Sequence, residues 1–93
     1  MKIILSSKYL ASKLSEIDFE SDCVQNVFLK GEELTINTRE KSVVLSVLSY
    51  APILELNQDC RRWDWVKSLV SRIEEQPIVL SIHEHVVEIK FQY

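Results

Sequence analysis

His83-Glu84-His85 is the one arrangement in this chain with the spacing of a ligand set. Residues two apart on a strand project to the same side, and imidazole nitrogens bind zinc or copper. No third ligand accompanies them at a suitable spacing. The triplet also falls between two apolar runs, Pro77 to Ile82 and Val86 to Phe91, so a hairpin turn is expected there, with a metal held by His83 and His85 as the alternative. Asp18-Phe19-Glu20-Ser21-Asp22 alternates carboxylates as a calcium loop does. It lacks that loop's glycine and closing bidentate Glu, and a solvated connector is expected. Cys23 and Cys60 are far apart and form no CxxC, which predicts two reduced thiols rather than a structural disulfide. No serine sits in a G-x-S-x-G elbow, neither histidine has an evident Ser or Cys partner, and a single glycine cannot build a glycine-rich phosphate loop. The expectation is a protein that is not an enzyme and uses no cofactor.

What remains is charge placed by helical spacing. Leu10, Leu14 and Ile17 recur at i, i+4, i+7, which turns Lys8, Ser12 and Ser15 to the opposite face and leaves Tyr9 and Lys13 on the flanks. In a second helix Val66, Leu69, Val70 and Ile73 form the apolar stripe. Arg61, Asp64, Lys67, Ser68, Ser71 and Arg72 then face solvent, and Trp63 and Trp65 are expected at opposite edges of the stripe. An indole at such an edge either closes over the core or anchors a partner. Lys8, Lys13, Arg61, Lys67 and Arg72 thus make a basic set in a chain whose net charge is −3. That overall charge argues against indiscriminate attraction to nucleic acid, but it leaves room for a local phosphate-binding face.

The elements that must position these residues are legible from turns and alternation. Lys2 to Leu5 is a short strand, and Ser6 or Ser7 caps the helix from Lys8 to Ile17. Cys23 to Leu29 and Glu33 to Asn37 form a hairpin through Lys30-Gly31-Glu32, where the only glycine supplies a positive φ. Ser42 to Leu48 is almost continuously apolar, as expected of a strand covered on both faces or lying at an interface. A strand from Pro52 to Leu56, with Glu55 outward, precedes a helix from Arg61 to Ile73 whose N-cap is Asp59. Two strands, Pro77 to Ile82 and Val86 to Phe91, follow. The chain therefore reads as one α+β domain over residues 1–93, a strand-helix-strands unit written twice, over 1–50 and 51–93, with the second copy one strand short at Tyr93. Ninety-three residues lie near the small end of what one core stabilises alone, which favours self-association. No apolar run approaches the roughly 20 residues that span a bilayer, and the apolar start is too short for a signal peptide, so a cytoplasmic, membrane-free protein is expected.

This order resembles a single domain of the bacterial sliding clamp, the beta subunit of the replicative DNA polymerase. The likeness rests on Met1-Lys2-Ile3-Ile4 followed by Leu10 and Leu14, on the hairpin from Asn26 to Ile36, and on the helix and hairpin from Trp63 to Phe91. The resemblance implies a DNA-clamp fold in which helices line a ring around duplex DNA and present Lys and Arg to its phosphates. Here those would be Lys8, Lys13, Arg61, Lys67 and Arg72. With one domain in the chain, a ring would need a homo-oligomer, and a replication protein or another partner would be its client. The alternative is a protein-interaction adaptor that pairs through an open sheet edge and leaves DNA alone.

Overall fold

The computed structural model describes residues 1–48 and 53–91. Two helices and two antiparallel sheets give an α+β architecture. In chain order the elements are β1 (Lys2–Ser6), α1 (Ser7–Leu14), β2 (Val24–Lys30), β3 (Glu33–Thr38), β4 (Ser42–Ser46), β5 (Leu54–Asn57), α2 (Cys60–Val70), β6 (Pro77–His83) and β7 (Val86–Phe91). One sheet has the order β1-β6-β7 and the other β4-β3-β2-β5. Strands far apart in the chain are thus neighbours: Ile3 lies opposite Leu80, and Val27 opposite Leu56. Ala51, Pro52 and Tyr93, where the second unit was expected to begin and end, lie outside the described residues.

Local chemistry explains the element boundaries. Ser6 caps α1 by accepting the Tyr9 N–H on its hydroxyl at 3.2 Å, and Asp59 caps α2 by accepting that of Arg61 at 2.9 Å. Each such cap is worth about 1 kcal/mol. Both helices are shorter at their C-termini than their periodicity predicts, ending at Leu14 and Val70. Gly31 adopts φ 62° in the β2–β3 turn, as expected of the only glycine. The β6–β7 turn consists of Glu84 and His85, and here a histidine takes φ 63°. Its backbone is held in that region from outside: His85 N–H donates to Asn57 O at 2.8 Å, and the Glu84 carboxylate accepts Asn57 N–H at 3.1 Å.

A single core draws on both sheets and both helices, from Ile3, Leu10 and Leu14 through Val27, Leu34 and Leu45 to Val66, Leu80 and Val87. Trp63 lies at its centre with no exposed surface, which corrects the expected place at the edge of the stripe. The spacing Trp63, Val66, Val70 is itself i, i+3, i+7, so the ring continues the apolar face rather than flanking it. Its indole N–H is satisfied by the Gln58 side-chain oxygen at 2.9 Å. Trp65, by contrast, is half exposed, and Leu69 is only partly covered. For β4, cover on both faces, one of its two expectations, is not met. It alternates between buried Val43 and Leu45 and exposed Ser42, Val44 and Ser46, as a strand covered on one face does.

Removing the indole N–H strands the Gln58 oxygen in the core. Trp63→Phe should therefore lower the stability to urea by about 1–3 kcal/mol beyond the lost ring area, whereas Trp65→Phe should stay within about 0.5 kcal/mol of the wild type. Equal losses for the two variants would contradict this assignment.

Candidate functional site

His83 and His85 do not stand two apart on one strand. His83 closes β6 and His85 occupies the turn, and among the described residues no group of three or more His, Cys, Asp or Glu side chains is arranged to hold a metal. What the turn offers its surroundings is backbone: His83 O accepts the Gln58 amide at 2.7 Å, and His85 N–H reaches Asn57.

The expected basic set lies on and beside two neighbouring helices, but much of its charge is engaged within the molecule. Lys13 is 3.9 Å from Glu16 and lies over the Tyr9 ring at 5.8 Å. Arg61, whose side chain is almost fully exposed, is 3.6 Å from Asp59. Arg72, just beyond α2, folds back to donate to Ser68 O at 3.1 Å and to the Ser68 hydroxyl at 2.6 Å. Lys67 differs most from expectation: it is half-buried rather than exposed. Its ammonium donates to Ile17 O at 3.0 Å and lies 5.4 Å over the Phe19 ring, so its aliphatic stem packs while its charge caps the end of the α1 segment. The cleft around Lys67 also contains Asp18, Glu20 and Asp64, which oppose a phosphate there. Lys8 is exposed and, among the described residues, has no carboxylate or carbonyl beside its ammonium. The signal missed in the sequence is Arg62, which joins Asp59, Arg61 and exposed Trp65 around a shallow hollow at the start of α2.

The acidic connector is only partly solvated. Asp18 accepts Glu20 N–H and the Ser21 hydroxyl, as a turn residue would, whereas Asp22 is buried. Burial pushes the Asp22 carboxyl up, but the Thr38 hydroxyl and the backbone N–H groups of Cys23, Arg39 and Glu40 outweigh it and hold the group below its ordinary value. The sequence hides this because Thr38 and Arg39 arrive from the far strand of the β2–β3 hairpin.

Two further surfaces are open. A groove of about 860 Å³ runs between the outer side of β1 and the end of β4, floored by Ile4, Tyr9, Val47 and Leu48 and rimmed by Glu32, Glu33 and Glu75. The second is the outer edge of β7, which among the described residues pairs only with β6. Ile89 and Phe91 on this strand remain partly exposed, whereas Leu34 and Ile36 on β3, a strand paired on both sides, are fully buried.

The chain matches no protein-family model, no curated protein and no solved structure.

On the groove rim, the Ser6 hydroxyl donates to Glu75 at 2.6 Å, and this bond holds the Glu75 carboxyl below its ordinary 4.5 against the opposing effect of burial. A carboxyl depressed in the folded state contributes stability that is complete above its unfolded value and drains as the pH falls through the folded one. Urea midpoints of the wild type and Glu75→Gln should therefore differ at about pH 7 and converge towards about pH 3. A gap that stays constant with pH would count against this role.

Proposed function

We propose that this chain is a non-enzymatic, clamp-like domain that self-associates by adding a strand of a second copy to the open edge of β7. What carries the proposal is the contrast between β3 and β7. One constant shift in numbering carries the cap Ser6 to the cap Asp59, Leu10 to Trp63, Ile3 to Leu56 and the turn-flanking Lys30 to His83. The same shift carries β3 onto β7, yet β3 has β4 beside it and β7 has no second neighbour among the described residues. This correspondence supports a duplicated, clamp-like unit, and the unequal edges mark where its two copies differ among the described residues.

Unpaired N–H and C=O groups flanked by half-covered Ile89 and Phe91 suit an added strand, in which backbone bonds give affinity and the apolar side chains give register. The donor in a second copy is the first part of β4, around Ser42 and the 46% exposed Val44, since farther along the Ser46 N–H is taken by the Tyr9 hydroxyl and Leu48 bridges to Ile4. Joining β7 to β4 uses different surfaces on the two copies. Such head-to-tail contacts close into rings or extend into filaments.

A second reading, contact with duplex DNA, is favoured by the exposed Lys8, Arg61 and Arg72 on and beside adjoining helices. It would be independent of sequence, since helix cations meeting phosphates carry no base information. An adaptor that pairs through the same edge with a different protein, and ignores DNA, is the outcome that separates these readings.

Sedimentation of the wild type should show mass rising with concentration to a defined oligomer. Ile89→Lys, with folding verified by circular dichroism, should remain monomeric at the same concentrations. A wild type that is monomeric throughout would defeat self-association and leave the adaptor. For DNA, Arg61→Glu with Arg72→Glu should abolish binding to a duplex, and wild-type affinity should fall with salt at a log-log slope of roughly −0.9 per phosphate contacted. Binding that is absent, or insensitive to both salt and charge reversal, would sink the DNA reading without touching the edge.

A further inference from the structure

Cys23 immediately precedes β2 and Cys60 opens α2, and neither thiol belongs to the surfaces above. The β2–β5 ladder brings them together. Its register pairs Asn26 with Asn57, and Gln58 N–H prolongs it by donating to Gln25 O at 2.9 Å. The strand pairing ends at Asn26 and Asn57, but counted on in the same register it reaches Cys23 and Cys60, where the chain turns into α2, so both cysteines stand at one joint. A disulfide there asks for Cα atoms roughly 4.4–6.8 Å apart.

The side chains agree with the register. The Cys60 thiol donates to the carbonyl oxygen of Asp22, the residue before Cys23, at 3.8 Å, and the Cys23 thiol donates to Val24 O at 3.8 Å. Both thiols are free and both residues partly exposed, so a small reagent can reach them. A cysteine at the first residue of a helix ordinarily gains thiolate character. Here burial, and then Cys23 itself, push the Cys60 thiol up to about 11. Cys60 therefore stays protonated at neutral pH until its neighbour has reacted.

We propose that Cys23 and Cys60 form a reversible dithiol–disulfide site whose reaction partner is a low-molecular-weight disulfide. The Cys23 thiolate attacks one sulfur of that disulfide, and a mixed disulfide forms as the first small thiolate leaves and takes up a proton. Cys60 then gives up its proton and attacks Cys23 Sγ, and the second small thiol departs. Two protein thiols are oxidised, and one small disulfide is reduced to two thiols. The bond staples the start of β2 to the start of α2. At the comparable joint between β6 and α1, Ser7 N–H donates to Gln76 O at 2.9 Å and Gln76 N–H to the Ser7 hydroxyl at 3.0 Å. One joint is therefore under redox control, and the other is held by hydrogen bonds alone.

The test equilibrates the native full chain in glutathione buffers of rising oxidised fraction, followed by acid quench, thiol alkylation and intact mass. The wild type should pass from a doubly alkylated species to one with neither alkyl group nor glutathione, and the oxidised form should unfold at a higher urea concentration. Cys60→Ser should stop at one glutathione on Cys23, and Cys23→Ser should react at least about tenfold more slowly. The proposal is overturned if native wild type accumulates separate glutathione adducts on both cysteines, stays reduced throughout, or forms the internal bond only in urea. The wild-type result decides the matter even if a variant fails to fold.

Discussion

The Gln58 side chain is the polar link on which the arrangement of both sheets depends. It is buried, its oxygen accepts the indole N–H of Trp63, and its amide nitrogen donates to Asn57 O and His83 O, each at 2.7 Å. One amide thus fixes the rotation of α2, the end of β5 and the entry to the β6–β7 turn. Buried polar groups cost little only when every partner is present. Trp63 can sit at the centre of the core because Gln58 is there, and Gln58 is there because β5 passes beneath the turn. The left-handed backbone at His85 belongs to the same constraint, since its N–H and the Glu84 carboxylate both engage Asn57.

Electrostatics divides the surface differently from the sequence pattern. Lys67 and Arg72 spend hydrogen bonds on Ile17 and Ser68, and Lys13 and Arg61 lie beside carboxylates. Exposed ion pairs of this kind are weak and contribute on the order of 0–1 kcal/mol. The arginines can therefore turn to an external anion at small cost, whereas Lys67 would give up a partly buried bond and a ring contact. Any anion-binding capacity thus shifts away from Lys67 and towards Lys8, Arg61, Arg62 and Arg72. The edge of β7 presents backbone groups instead of charges.

The order of elements, both caps, the Gly31 turn and the outward Glu55 were legible because each is set by residues close in sequence, and the second turn was legible from its flanking apolar runs although Asn57 holds its backbone. What was not legible came from tertiary neighbours. The size of the Trp63 ring suggested an edge, but its spacing to Val66 and the unforeseen Gln58 acceptor place it inside. Lys67 reads as solvent-facing by periodicity, yet a long aliphatic stem can lie along the fold and deliver its charge to a distant carbonyl. Asp22 looked like part of a wet acidic run until Thr38 and Arg39 closed over it. β4 read as doubly covered or lying at an interface because β-branched residues suit a strand on either face, and sequence alone does not say which face is left bare.

The pairing of β1 with β6 also bears on how the chain reaches this state. Lys2 meets its partner Ser81 only after nearly the whole chain is available, and β2 likewise waits for β5. Pairings this remote in sequence require a large loop to close before any contact compensates for it, which places the domain among slow rather than fast folders. As synthesis proceeds from the N-terminus, the β2–β3–β4 meander can form early. β1 then has only the bridge from Ile4 to Leu48 to hold it, and the rest of this apolar strand stays open to other chains until β6 emerges to receive it.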